Sequence, residues 1–275
     1  MIYVDEGLDG MLEGIGELYD GKVFVTIEGY NAISAEIKSA LSGKLFTYPT
    51  AITATYDYND NNMTATLKTI TGFTDRVLFL PSTVVIDDVE YTITAIGDLA
   101  LNGNAYIEEL IVPYTVETIG DSAFKNCASL TTVRFEIGSK LRVIGTNAFF
   151  GCVSLKAISL PDSLLRIEDR AFYGNTSLAK VESTVYSKLN YIGKYAFYET
   201  SALTSIVFNN NGNLFVIDNY AFRSSGLADI VFANWNKTVN IGEYGFADIE
   251  NLDQNVIDDI VDNDNFVVAD TAFNR

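Results

Sequence analysis

The chain predicts a right-handed solenoid, mostly β with tight corners and short turns or 3₁₀ pieces, and three observations predict it. An Ile-Gly phrase recurs at Ile96-Gly97, Ile119-Gly120, Ile144-Gly145, Ile167-Glu168, Ile192-Gly193, Ile217-Asp218 and Ile241-Gly242, at intervals of 23, 25, 23, 25, 25 and 24 residues. An Ala-Phe pair follows most copies at a fixed offset, at 123–124, 148–149, 171–172, 196–197 and 221–222. Between the phrases lies an L-x-x-apolar-x-apolar segment whose alternation suits a half-buried strand. A period in the low to middle twenties, held over about 180 residues, belongs to leucine-rich repeat solenoids.

Taken in order, residues 1–50 stand outside the repeat. KVFVTIE (22–28) reads as a strand, and SAEIKSALSG (34–43) as a short helix with Ser34 as N-cap and Gly43 as stop. Leu8, Leu12, Ile15 and Leu18 have helical spacing, but Gly7, Gly10, Gly14 and Gly16 each cost about 1 kcal/mol against alanine inside a helix. Two readings stand for this segment: a small β-rich cap, or a docking segment that orders on a larger assembly. No export signal is read here, because Asp5, Glu6, Asp9, Glu13 and Glu17 all precede the first basic residue, Lys22. Residues 51–95 are expected to lead into the solenoid through a hairpin over 50–70, with NDNN as its polar tip.

Residues 96–275 make about seven coils and, at Val268 and Ala272-Phe273, the beginning of an eighth. The strand segments are IEELIV (107–112), LTTVRF (130–135), LKAISL (155–160), a weakened LAKVES (178–183), LTSIVF (203–208) and LADIVF (227–232). A second short extended piece, such as LRVI (141–144) or LLRI (164–167), runs into each phrase, and Pro113 and Pro161 help to stop the first ladder. No single coil buries its own apolar face, so Phe124, Phe149, Phe172, Phe197, Phe222 and Phe246 are expected to stack inside. Three residues before each strand leucine come Asn104, Cys127, Cys152, Asn175, Thr200 and Ser224. Asparagine there is expected to satisfy backbone groups of the neighbouring coil, and cysteine to fill the slot as a small hydrophobe. Cys127 and Cys152 are read as buried thiols stacked one coil apart, with an inter-coil disulfide as the alternative.

These residues resemble the BspA-like family of bacterial leucine-rich repeats. LKAISLPDSLLRIEDRAFYGN (155–175) follows the family pattern almost position by position, departing with Glu168 for glycine and Asn175 for cysteine. The likeness covers roughly 90–275. It implies a surface or secreted protein acting in adhesion and protein binding, with no catalytic residues.

Composition narrows the function further. The chain is 48% apolar and 20% charged, and its 36 acids against 18 bases give a net charge of −18, which disfavours nucleic acid and anionic membranes as partners. No apolar run reaches the roughly 18–20 residues that cross a bilayer. Histidine is absent, which removes the usual general base and the commonest metal ligand. No nucleophile, zinc, phosphate or cofactor motif is present, so neither an enzyme nor a cofactor is expected. DDIVDNDN (258–265) is rich in calcium-type oxygens but lacks the EF-hand glycine and closing glutamate. It reads as a helix end, with Val256, Ile257, Ile260 and Val261 turned to the last coil.

The candidate binding residues are aromatic. Tyr195, Tyr220 and Tyr244 share the slot before the Ala-Phe pair, and Phe150, Tyr173 and Tyr198 the slot after it. Two ladders of rings are expected at the corner, either gripping a protein or surface-glycan ligand or shielding a thin core. Competing positions lie on the strand face: Thr131, Thr132, Arg134, Lys156, Ser159, Lys180, Glu182, Thr204 and Ser205. The function class is a non-catalytic binding scaffold on a microbial surface or outside the cell. The alternative is a structural or receptor-binding virion component anchored through residues 1–50.

Overall fold

The computed structural model describes residues 53–72, 76–208, 216–233, 238–263 and 265–274, and the backbone of four earlier strands. The chain divides into two compact units, Met1–Ile52 and Thr53–Arg275. In the first, an antiparallel sheet runs in the order Gly16–Tyr19, Lys22–Val25, Ile2–Val4, Phe46–Thr47. Part of the expected strand at 22–28 is therefore present. Leu18 lies in a strand, so its helical spacing with earlier leucines does not make a helix there. The helix expected over 34–43 falls outside the described residues.

The second unit is a β-solenoid of about eight turns. It opens with the expected hairpin, Thr53–Asn59 against Thr64–Thr71. A second hairpin, Thr83–Ile86 against Val89–Ile96, closes on Asp87 and Asp88, whose φ values of 50° and 62° make the two-residue mirror-image turn that matches strand twist. Thr64–Thr71 then pairs in parallel with Val89–Ile96, which starts the coil ladder: Ile96 opposite Ile119, Ile119 opposite Ile144, and so on to Ile241 opposite Val268. This makes one sheet of eleven strands, ten on its ordered path and Thr83–Ile86 at the side. A second, parallel sheet stacks the other segments, from Val77–Phe79 through Glu109–Val112, Thr132–Phe135 and Ala157–Ser159 to Lys180–Glu182. The ladder breaks there, and Ser205–Phe208 pairs separately with Asp229–Phe232. Ser183, half-buried, occupies the position of Leu160 and Phe208, and a small cavity lined by Leu160, Ser183 and Phe208 opens beside it. The small side chain of the weakened LAKVES copy explains both.

Phe124, Phe149, Phe172, Phe197, Phe222 and Phe246 are all buried and stacked, with successive centroids 5.2, 5.4, 5.2, 5.0 and 5.1 Å apart and ring planes within 8°. Phe273 continues the stack at 5.5 Å. Burial of each ring stabilises by about 1.5–3 kcal/mol.

The Ile-Gly…Ala-Phe corner is a run of turns with a strict alternation of hydrogen bonds. Ser122, Phe124 and Asn126 donate their N–H groups to Thr146, Ala148 and Phe150 of the next coil, at 2.8, 2.8 and 2.7 Å. The intervening Ala123, Lys125 and Cys127 donate three residues back within their own coil. Directing alternate amides outward twists two residues per coil into left-handed φ. The first such slot holds Leu99, Ser122, Asn147, Arg170, Tyr195, Tyr220 and Tyr244, and the second Gly103, Asn126, Gly151, Gly174, Glu199, Ser224 and Asp248. Glycine and asparagine suit this conformation. The tyrosines adopt it under the constraint of the ladder.

A further rule links neighbouring coils. Asp98, Asp121, Asp169 and Asn219 each accept the N–H of the residue after the next coil's glycine: Asp121, Thr146, Lys194 and Glu243, at 2.8–2.9 Å. The accepting side chain fills the space a Cβ would need. An added Cβ at Gly120 would lie 2.5 Å from Asp98 Oδ1, and one at Gly145 2.7 Å from Asp121 Oδ1. Where the preceding coil carries Thr146 or Lys194 instead, the glycine gives way to Glu168 or Asp218. The departures from Ile-Gly thus have a steric cause one coil earlier.

Three expectations about the inner slot need correction. The buried residue equivalent to Thr200 is Ser225, not Ser224, because that coil is one residue shorter after its phenylalanine and the count from the strand leucine slips. Asn104 caps its own coil, accepting from the N–H groups of Tyr106 and Ile107, instead of serving a neighbour. Asn175 is fully buried and neither its amide oxygen nor its nitrogen has a hydrogen-bond partner. The expected helix forms over Gln254–Val261, with Asp253 as N-cap and Ile260 buried, but Val261 faces solvent.

Candidate functional site

Both aromatic ladders are present, and they join. Phe150, Tyr173 and Tyr198 stack at 4.8 Å per step, with ring planes 12° and 20° apart. Tyr195, Tyr220 and Tyr244 stack at 4.7 and 5.1 Å, with planes 2° and 11° apart. Tyr195 meets Tyr198 edge-on at 5.6 Å, so the six rings form one diagonal strip across five coils. All six are half-buried. The spacing follows from the inter-coil hydrogen bonds, which fix neighbouring backbones at β-sheet separation.

Cations close the strip. Lys125 lies 5.0 Å over the Phe150 ring, and Arg170 lies 5.1 Å over Tyr195. Arg223, in the slot after Tyr198, lies 5.6 and 5.7 Å from the centroids of Tyr220 and Tyr244 and pairs with Asp248. Desolvation among the neighbouring rings pushes the Tyr173 and Tyr220 phenols above their ordinary range. They remain O–H donors at neutral pH. The hydroxyls of Tyr173, Tyr195, Tyr198, Tyr220 and Tyr244 donate to no group among the described residues.

A second cluster was not singled out by the sequence. Arg166 and Tyr191 are ladder partners, with the guanidinium 3.9 Å over the ring. Arg166 also bonds both oxygens of Glu168, at 2.6 and 3.1 Å, and the Tyr191 hydroxyl donates to Asp218 at 3.0 Å. Burial, followed by the bond to Asp218, pushes the Tyr191 phenol up. The signal was available: Glu168 and Asp218 are the two acids that replace the phrase's glycine. Arg166, Glu168, Tyr191 and Asp218 are thus all engaged with one another or with a neighbouring amide.

The competing strand face is occupied with itself at six of its nine positions, Lys156, Thr204 and Ser205 being the exceptions. Arg134 pairs with Glu109 and Lys180 with Glu182, both at 2.6 Å, while Ser159 donates to Glu182 and Thr131 to the Glu108 carbonyl. Cys127 and Cys152 are buried free thiols that donate to the carbonyls of Leu101 and Phe124, at 3.2 Å each. Burial pushes Cys127 up to about 12 and Cys152 upward too. Neither is a reactive nucleophile. No group of three or more metal-ligating side chains converges among the described residues, and no described helix is long and apolar enough to cross a membrane.

The fold has solved counterparts. A leucine rich repeat protein of T. pallidum superposes with a TM-score of 0.68 at 22% identity, covering 81% of this chain and 97% of its own. The pneumococcal vaccine antigen PcpA superposes with a TM-score of 0.55 at 18% identity, covering 76% of this chain and 69% of its own. No curated protein sequence matches. The profile of the BspA type leucine rich repeat region matches six copies over residues 94–213 and 134–253, more than half of the chain. The stacked phenylalanines, the repeated corner and these matched copies coincide, and the chain belongs to the BspA type leucine rich repeat family.

Proposed function

We propose that this protein is a non-catalytic recognition scaffold displayed on a bacterial surface, and that the aromatic strip is its contact surface. The observation that carries the proposal is the contrast between the strip and the rest of the molecule. Around Arg166, and at Thr131, Thr132, Arg134, Ser159, Lys180 and Glu182 on the strand face, the polar groups are paired, whereas Lys156, Thr204 and Ser205 stand as isolated, exposed positions. In the strip, five tyrosine hydroxyls have no partner among the described residues and sit beside three cations. Tyrosine and arginine are the side chains that dominate binding energy at protein interfaces, and rings locked by stacking lose little freedom on binding. Surface display is supported by family membership and by the likeness to a pneumococcal vaccine antigen. These relatives are bacterial and do not favour a virion component. Residues 1–52, a compact unit of their own, would serve as the anchor.

Protease treatment of intact producing cells is expected to release solenoid peptides. Beads coated with the full chain are expected to capture epithelial or bacterial cells. Replacing Tyr173, Tyr198 and Tyr220 by asparagine should abolish capture, and replacing Thr132, Ser159 and Lys180 by alanine should not. The reverse pattern would refute the strip as contact surface.

A further inference from the structure

The geometry points to a protein ligand for the strip, one that offers carboxylate and backbone-carbonyl acceptors to a row of tyrosine hydroxyls, and not a glycan stacked on the rings. This rests on the reading of the strip as the contact surface and turns on which part of each ring is free. A sugar grips an aromatic side chain by laying its C–H face on the ring face. Here most of those faces are taken. Tyr220 lies between Tyr195 and Tyr244, and Tyr173 between Phe150 and Tyr198, at 4.7–5.1 Å and at most 20° from parallel. The outer faces of Tyr195 and Phe150 are covered by Arg170 and Lys125.

What remains exposed on Phe150, Tyr173, Tyr195 and Tyr220 is the edge of the ring, the electropositive part of its quadrupole, and on the three tyrosines the hydroxyl; Tyr198 and Tyr244, at the ends of their ladders, each have one stacked face. The flanking guanidinium and ammonium heads are donors only. The strip therefore offers hydroxyl donors at a repeat of about 4.8 Å, the strand-to-strand distance of a β-sheet, beside three cations and with the carboxylates of Glu199 and Glu243 acting on Tyr173 and Tyr220. Acidic side chains and backbone carbonyls of a protein segment complement such a surface. Asp248 already answers Arg223 in this way within the molecule.

The test uses the full chain and two variants that respect the corner. Asn147 and Asn102 occupy the same two slots naturally, so Tyr173→Asn, Tyr198→Asn and Tyr220→Asn together remove rings without forcing a foreign residue into a turn. Tyr173→Phe, Tyr198→Phe and Tyr220→Phe together keep the ladders and remove only hydroxyls. A random dodecapeptide phage library is panned on the wild-type protein, and chitohexaose, maltohexaose and cellohexaose are titrated by calorimetry in parallel. Enriched peptides are expected to be rich in aspartate and glutamate, to bind the Phe variant about tenfold more weakly and to lose the Asn variant altogether. The oligosaccharides are expected to give no heat of binding. An oligosaccharide that binds the wild type and not the Asn variant overturns this inference while the strip stands as the contact surface. Acidic peptides that bind the Phe variant as tightly as the wild type overturn the role of the hydroxyls. An empty selection, or peptides that bind the Asn variant undiminished, overturns both readings.

Discussion

Changing Gly145 to alanine should be costly, and the cost should vanish when Asp121 is changed first. In the native coil pair, Asp121 Oδ1 accepts the Thr146 N–H at 2.8 Å and draws the two turns together. A Cβ on residue 145 would then lie 2.7 Å from that oxygen, 2.8 Å from the Ile119 carbonyl oxygen and 2.9 Å from the Gly120 carbonyl carbon. Two of these atoms are backbone, so relief requires the coil itself to shift. Overpacking of this kind costs about 2–3 kcal/mol. Asp121→Thr, which copies Thr146 ahead of Glu168, removes one hydrogen bond at an exposed site and costs about 1 kcal/mol. Independent effects would sum to about 3–4 kcal/mol. With the carboxylate gone the bond that draws the two turns together is lost as well, so the coil can shift to clear the backbone contacts as it does around Glu168 one coil later, and the double variant should lose only about 1 kcal/mol. Urea denaturation of the four proteins measures the coupling, expected at about 2 kcal/mol. Additivity within about 0.5 kcal/mol would refute the steric rule and leave Glu168 and Asp218 without an explanation.

Asn175→Cys replaces two unsatisfied buried polar atoms by the residue found at 127 and 152, and should raise stability by about 1–3 kcal/mol, seen as a higher melting temperature. An unchanged melt would mean that Asn175 is satisfied in solution. The buried thiols make the fold sensitive to alkali. Cys127 keeps its proton up to about 12 when folded, against 9.0 for an ordinary thiol, so the unfolded state gains stability from about pH 9 upward and the loss is complete near pH 12. The wild type should therefore lose more stability between pH 8 and 11 than Cys127→Ala does, and its thiols should resist an aromatic disulfide reagent until denatured. Residues 53–275 expressed alone should unfold in one sharp transition, because their first strands already carry the hairpin that begins the ladder. Insoluble expression would return residues 1–52 to the solenoid's stability.

The solenoid was legible because its physics is nearly one-dimensional. Once Ile119 and Ile144 are aligned in sequence they are adjacent in space, and Phe124 must meet Phe149. The same logic placed Tyr195 over Tyr220 and Phe150 over Tyr173. What the sequence hid lies between the copies. The dependence of Gly145 on Asp121 crosses a coil boundary and requires knowing where a carboxylate folds. The left-handed slots are concealed by tyrosine, arginine and glutamate, which do not announce positive φ as glycine does. Counting back from Leu227 instead of forward from Phe222 put the inner serine one residue early. Asn175 looked like a polar ladder residue because asparagine usually finds backbone partners. The N-terminal unit has no second copy to align, so its strands had to be read singly, and Leu18 was ambiguous.

Oxidative footprinting of the full chain, free and captured on cells, locates the contact most directly. Side chains are labelled by a brief hydroxyl-radical pulse and read by mass spectrometry. The account predicts protection on Tyr173, Tyr195, Tyr198, Tyr220 and Tyr244, with unchanged labelling of exposed Tyr114 and Tyr186. Protection of Tyr114 and Tyr186 with the five strip tyrosines labelled as in the free protein would place the binding surface elsewhere and contradict the central claim.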